Sequence, residues 1–362
     1  MAEYIPLLRI LGLSCFLLAL IISLALTPVS MKIAQKFGII DIPKDKRRMH
    51  ETPKPCFGGL PIFIGAIVTI ILIFLLLGKF LPHGLYIKEP VEKLLGILVG
   101  GVLIFAVGLY DDIKDIKPIV KLICQIIAAS VTFAMGVRIP TITLMGLHFA
   151  NDTAGLVLSY FATIIWIVLI TNTINLIDGL DGLADGVSVI SSVAIGYAAY
   201  IHGQYTVTFA MMALAGAALG LLPFNFYPAK TFMGDSGALF LGFMLASISI
   251  IGPAKGAAIV SIMVPVFVLG VPIFDIVFAV FRRTRKGISI FKADRGHLHH
   301  QLASIGMGQR RSVLMIYGIS AVMGIAAILF SRSRELWLEA LFLFFAAIVF
   351  IIVLIWGWKE KK

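Results

Sequence analysis

Stretches of roughly 17 to 25 mostly apolar residues, the length that carries a helix across a bilayer, recur along this chain from end to end. Backbone amides find no water to bond in hydrocarbon, so each stretch must satisfy its hydrogen bonds internally, as a helix. The stretches fall at about residues 6–31, 58–80, 92–110, 118–137, 156–175, 182–201, 205–224, 236–252, 256–281, 312–331 and 336–357. They predict an all-α fold: a polytopic membrane protein of about eleven transmembrane helices, forming a single integral-membrane domain over residues 1–362. A composition 60% hydrophobic and 14% charged belongs to that class rather than to soluble domains. The first stretch lacks a basic leader and a small-residue cleavage site, so a retained helix is expected there rather than a signal peptide.

The connections alternate in character. Those near 81–91, 138–155, 202–204, 253–255 and 332–335 are short or bland, and 138–155 could form a small hairpin. Those near 32–57, 111–117, 176–181, 225–235 and 282–311 hold, with the C-terminal tail, most of the 30 Lys and Arg. Basic loops stay cytoplasmic, which predicts these five loops and the C-terminus inside and the N-terminus outside. The same rule accounts for a net charge of +11 with no nucleic-acid partner. Cys15, Cys56 and Cys124 show no paired spacing, so neither a disulfide framework nor a zinc cluster is suggested.

The same loops gather the carboxylates. An Asp at the centre of a membrane helix costs about 2.5 to 3.5 kcal/mol, so acids beside apolar helices mark function. Asp111-Asp112-Ile-Lys-Asp115 suits a hard divalent cation, or is a solvated helix end between Lys114 and Lys117. Lys121, one turn past Lys117, could neutralise phosphate oxygens or snorkel to the interface. Asn172, Asn175, Asp178 and Asp181, with Gly179, Gly182 and Gly186, form a plausible pocket for polyphosphate and metal. The structural alternative is an interhelical hydrogen-bonding cluster with helix caps, and Asp185 in particular could be only that. In Phe232-Met-Gly-Asp235-Ser-Gly the acid could ligate a metal or cap the next helix, and Phe232 could offer its ring to a base. Arg295, His297, His299 and His300 crowd the largest basic loop; zinc would need further Cys or spaced His, so anion binding is expected. The first loop, from Asp41 through Lys44, Arg47, Arg48 and Lys54 to Gly59, is a juxtamembrane anchor or a hold for a phosphorylated lipid.

Gly-Leu-Tyr-Asp111-Asp112, Asn172-x-x-Asn175-x-x-Asp178-Gly-x-Asp181-Gly-Leu-Ala, Phe232-Met-Gly-Asp235-Ser-Gly and His297-Leu-His299-His300 together resemble the polyprenyl-phosphate N-acetylhexosamine-1-phosphate transferases, in order, from about residue 41 to 302. The His-x-His-His loop is similar to the branch that transfers GlcNAc-1-phosphate for O-antigen, enterobacterial common antigen or teichoic acid linkage units. The branch that transfers phospho-MurNAc-pentapeptide carries three consecutive His, and here Leu298 interrupts the run.

The resemblance implies a bacterial inner-membrane enzyme with its active site facing the cytoplasm. Its partners would be a UDP-N-acetylhexosamine and polyprenyl phosphate, with a homodimer as one assembly state. Its cofactor would be Mg²⁺, with Mn²⁺ as substitute, on Asp235 and Asn175. Asp111 and Asp112 would lie at the reacting phosphates and Lys121 on the diphosphate. Asp178 and Asp181 would organise the nucleotide pocket near Asn172, with Asp181 meeting the uracil and Phe232 stacking on it. His299, His300, His297 and Arg295 would hold the pyrophosphate. The expected chemistry is a single displacement, because a phosphate monoester with a second pKa near about 6 is mostly dianionic at neutral pH and scarcely needs a base; a covalent Asp–phosphosugar intermediate is the rival.

Other classes fit less well. A transporter would place its ionisable groups near the midplane, with paired half-helices. An Asp-rich prenyltransferase would want a second motif like Asp111-Asp112-x-x-Asp115, and a CDP-alcohol phosphotransferase would want an Arg soon after Asp178-Gly-Leu-Asp181.

Overall fold

The computed structural model describes residues 5–41, 53–80, 91–139, 153–251 and 308–332, with short stretches between 265 and 285. The expected helix at 336–357, most of 256–281, the turn region at 140–152 and the loop bearing Arg295, His297, His299 and His300 lie outside the described residues.

The apolar stretches fold as expected, into α1 (Ile5–Phe37), α2 (Gly59–Phe80), α3 (Val91–Lys114), α4 (Pro118–Ala134), α5 (Thr153–Ile177), α6 (Leu183–Ile201), α7 (Tyr205–Asn225), α8 (Gly234–Ile250) and α9 (Gln309–Arg332). Among the described residues seven of these are long and apolar enough to cross a membrane, while α4 and α8 are shorter apolar helices. The protein is a multi-pass helical membrane protein. The helices carry one small addition: β1 (Ile40–Asp41) pairs antiparallel with β2 (Lys54–Pro55).

Two helices run further than their apolar stretches. α1 continues past residue 31 to Phe37, and α3 past residue 110 to Lys114. Asp111 and Asp112 are therefore helical residues, not loop residues. Asp115 then stops α3 in the left-handed region, with φ 54, its N–H bonded to the Asp111 carbonyl at 2.8 Å. Asp tolerates that conformation better than most side chains. Asp115 and Lys114 are exposed, so this part of the segment is the solvated helix end that was one of its two expected forms.

α8 is the axis of the fold. Every residue from Ser236 to Ile250 is buried, and α3, α5, α2, α7 and α6 all pack against it. A helix apolar all round belongs in such a place. Phe63 of α2 stacks on Phe105 of α3 at 4.1 Å between centroids, and Phe240 of α8 meets Phe63 edge-on at 5.2 Å. Around this centre α1 exposes Ile10, Leu13, Leu17 and Ile21, α4 exposes Ile119, Ile123 and Ile127, and α9 exposes Val322, Ile325 and Leu329. Rows of apolar side chains facing outward on several helices are what lipid requires.

The chain alternates direction through the bundle. The C-terminal ends of α3, α5 and α7 meet the N-terminal ends of α2, α4, α6 and α8, joined by bonds such as Gly59 N–H to Met233 O at 2.8 Å and Asn225 to Asp185 at 2.6 Å. At the same end, Ala34 in the last turns of α1 and Ile39 just beyond it cluster with Phe57. The expected convergence of the polar connections on one side holds for the described residues of the loops near 32–57, 111–117, 176–181 and 225–235.

Candidate active site

At this shared pole, four of the residues singled out from sequence are brought into direct side-chain contact. Lys121, in the first turn of α4, pairs with the Asp111 carboxylate of α3 and lies 2.5 Å from Oδ2 of Asp235 in α8. Asn175, in the last turn of α5, donates Nδ2 to Oδ1 of Asp235 at 2.6 Å. Asp111 is buried, and its Oδ1 also accepts the Ile116 N–H at 2.8 Å. Pro118 at the first helical position of α4 sets the angle from which Lys121 enters, since its missing N–H and fixed φ suit a helix start.

Asp112 faces the other way. Its two oxygens accept the backbone N–H groups of Asp235 at 2.7 Å and Ser236 at 3.1 Å. α8 has no side-chain cap of its own, so a carboxylate from α3 caps it and complements its positive end. Asp235 does not cap α8, the alternative to metal binding that its sequence position offers. Gly234 makes the fit possible: it has φ 75, and a Cβ there would lie 2.8 Å from Oδ2 of Asp112.

The loop between α5 and α6 supplies the second layer. Asp181 accepts the Ala229 N–H at 2.9 Å, fastening the α7–α8 connection. Asp178 keeps a partly exposed edge outside the membrane-length helices. Burial first, and then the charges of Asp185, Asp235, Asp112 and Asp181, hold its carboxyl well above the ordinary carboxylate range. So many acids about one pole make a place for cations and for ligands that carry them.

Asn172 does not face the acids directly. It forms a reciprocal amide pair with Gln125 of α4, with Asn172 Nδ2 to Gln125 Oε1 at 2.6 Å and the return bond at 3.3 Å. Phe232 lies under Lys54, whose ammonium sits 5.3 Å from the ring centroid. Backbone bonds from Phe232 N–H to Pro55 O at 2.9 Å, and from Gly58 N–H to Phe232 O at 2.9 Å, stitch the end of the first loop to the Phe-Met-Gly-Asp segment.

Gln125, Lys54, Asn225 and Tyr317 take part in the site or its frame and were not singled out. Gln125 carried a signal, since an amide within an apolar helix needs a partner. Lys54 is only one of several basic residues in its loop, and Asn225 stands seven residues before the Phe232-Met-Gly-Asp235 motif. Tyr317, within a helix rich in apolar residues, carried no signal.

Among the described residues no three of His, Cys, Asp or Glu gather closely enough to hold a metal alone. Asp235 offers carboxylate oxygens, and Asn175, which here turns its Nδ2 to Oδ1 of Asp235, would add an amide oxygen with the amide turned over. A Mg²⁺ site that relies on one or two protein oxygens plus substrate phosphates has this donor set.

Fold and site together define a multi-pass helical membrane protein with a partly buried ionic cluster where its helix ends converge. Comparison with known proteins places it more closely. The family described as glycosyl transferase family 4 matches residues 94–253. The chain is 36% identical over 336 residues to the "Probable undecaprenyl-phosphate N-acetylglucosaminyl 1-phosphate transferase" of Bacillus subtilis, covering 93% of this chain and 89% of that protein. It is 36% identical over 343 residues to the "Decaprenyl-phosphate N-acetylglucosaminephosphotransferase" of Mycobacterium tuberculosis, covering 88% and 82%. With the "Undecaprenyl-phosphate alpha-N-acetylglucosaminyl 1-phosphate transferase" of Escherichia coli K12 it shares 28% over 311 residues, covering 84% and 79%. The chain belongs to glycosyl transferase family 4.

Proposed function

We propose that this protein transfers GlcNAc-1-phosphate from UDP-GlcNAc to polyprenyl phosphate and releases UMP, as the first membrane step toward a cell-envelope polysaccharide. The observation that carries the reading is Lys121 shared between Asp111 and Asp235, beside Asn175, where the ends of the membrane-length α3 and α5 meet the starts of the shorter apolar α4 and α8. That is the depth at which the phosphate of a membrane lipid lies. The substrates come from the names of relatives matched over most of the chain.

In the reaction an oxygen of the lipid phosphate attacks the sugar-bearing phosphorus of UDP-GlcNAc. The bond from that phosphorus to the UMP oxygen breaks, and its electron pair leaves with UMP. Catalysis then rests on positioning and on neutralising charge. Lys121 brings an ammonium to the phosphates, and Asp111, held by Lys121 and the Ile116 N–H, orients the incoming dianion. Asp112 keeps Asp235 in register by gripping its backbone. Asp178 and Asp181 face the nucleotide with Phe232 as a stacking ring, and Arg295, His297, His299 and His300 take the pyrophosphate. Asp235 and Asn175 would hold Mg²⁺, or Mn²⁺ in its place, which when bound supplies charge neutralisation and orientation of phosphate oxygens. The wider frame is eleven helices, the N-terminus outside and the site facing the cytoplasm of a bacterial inner membrane.

Purified protein given Mg²⁺, polyprenyl phosphate and UDP-GlcNAc should release UMP and form the lipid-linked sugar, and Asp235→Ala or EDTA should abolish both. UMP release that survives either treatment would overturn the metal assignment. A panel of UDP-sugars that yields no lipid-linked product would overturn the function.

A further inference from the structure

Asp185 and Tyr317 are polar groups in the bundle that the reaction above does not use. Asp185, in the first turn of α6, is fully buried; its Oδ2 accepts Nδ2 of Asn225 at 2.6 Å, and its Oδ1 has no hydrogen-bond partner among the described residues. A buried carboxylate with one oxygen unbonded is costly, and a residue of that kind is normally explained by what it holds. Tyr317 reaches across from α9 and donates its hydroxyl to the backbone carbonyl of Gly182. Gly182 stands next to Asp181 in the left-handed conformation, with φ 78, and its carbonyl also accepts the Gly186 N–H at 3.1 Å. Gly186 is where the Tyr317 ring rests, and a side chain there would overlap it.

These contacts surround the loop that carries Asp178 and Asp181. Asp181 and Asp185, four residues apart, grip the α7–α8 connection from one side, through the Ala229 N–H and the Asn225 amide. Tyr317 fixes the turn between the two acids from the other side.

We propose that Tyr317 and Asp185 are positioning residues for sugar-nucleotide binding, which act through the Gly182 carbonyl and the Asn225 amide to set Asp178 and Asp181. The proposal deepens the function given above and rests on it. It also gives α9 a task in the site. Gln309, where α9 begins, follows His300 by nine residues, so one short span of chain joins the histidine loop to the helix that steadies the nucleotide loop.

The test is Tyr317→Phe in the full-length protein, which removes only the hydroxyl. One such hydrogen bond corresponds to about a three- to tenfold change, and it should appear as a raised KM for UDP-GlcNAc with kcat and the KM for polyprenyl phosphate held within about twofold. Asp185→Leu should shift the same constant. Asp185→Asn, which keeps an oxygen for Asn225, should stay near the parent protein. An unchanged KM for UDP-GlcNAc in Tyr317→Phe, or both KM values rising together as in a general loosening, would overturn the proposal. Should a variant be too unstable for kinetics, calorimetric titration of UDP-GlcNAc into Tyr317→Phe at low temperature decides, with weaker binding expected and unchanged binding fatal. The unsubstituted protein runs in parallel: if it neither binds nor turns over UDP-GlcNAc, the function fails, a result distinct from equal affinities in parent and variant.

Discussion

The Asp112 carboxylate at the end of α3 accepts the backbone N–H of Asp235 at 2.7 Å, so the acid that meets Lys121 and Asn175 is itself held by another acid. Neither residue could do the other's work. The Asp235 side chain is turned to Lys121 and Asn175, and the Asp112 side chain is spent on the first turn of α8. A helix cap of this kind stabilises by about 0.5 to 2 kcal/mol. Thermal unfolding in detergent should therefore rank the parent protein first, Asp112→Asn next and Asp112→Ala last, because Asn retains one acceptor oxygen. Transfer activity should fall in the same order. Identical melting curves for all three would remove Asp112 from this role.

Lys121 neutralises two carboxylates at once, and its loss would leave Asp111 and Asp235 facing each other without a cation. Lys121→Met should destabilise the fold by about 1 to 3 kcal/mol, a range suited to a partly exposed group. It should also suppress UMP release. Adding Asp111→Asn to Lys121→Met should restore part of the stability and none of the activity. Strict additivity of the two changes would deny the coupling.

Asp178 gives a pH signature. Its carboxyl is raised well above the ordinary range on folding, so the folded protein favours the protonated form. An acid of this kind costs stability above its folded pKa, and the cost disappears as pH falls below its unfolded value of about 3.9. Asp178→Asn should accordingly raise the melting temperature of metal-free protein at pH 8, with the advantage shrinking as the pH is lowered, while sugar-nucleotide turnover drops. A stability difference independent of pH would contradict the burial of Asp178 and the like charges around it.

Gly108 of α3 lies against α8 so closely that a Cβ would come 2.5 Å from the Ser236 Cα. Backbone cannot yield as a flexible side chain can, so Gly108→Ala should separate α3 from α8, lower the melting temperature and reduce transfer. Gly318 of α9 has nothing within 4 Å, and Gly318→Ala should be neutral or stabilise by about 0.5 to 1 kcal/mol through helix propensity. Equal effects at the two positions would reject the close approach.

Much of this was legible in the residues before any coordinates. The apolar stretches located each described helix to within a few residues, because helices in lipid must satisfy their own backbone. The convergence of the polar loops followed from the basic residues. The errors fall where a polar residue stays helical because something distant satisfies it. α3 was expected to end at 110, yet Asp111 and Asp112 prolong it to Lys114, since Lys121 and the first turn of α8 accept their charge.

What the sequence determined by itself was therefore the class: a chain this apolar, with most of its acids gathered at helix ends and loops, has to be a membrane bundle with a polar pole. What only the tertiary structure decided was the division of work among those polar groups. Asp111 and Asp112 are adjacent in sequence, and one faces a lysine while the other caps a helix. Asn172 and Asn175 share a helix turn, and one pairs with Gln125 while the other meets Asp235. Asp185 is tied to Asn225, 40 residues away, and Gly182 to Tyr317, 135 residues away. The reason is physical. Hydrophobic length is a local property of a segment, but a buried polar group is satisfied by whichever partner the packed bundle brings to it, and no local pattern encodes that partner.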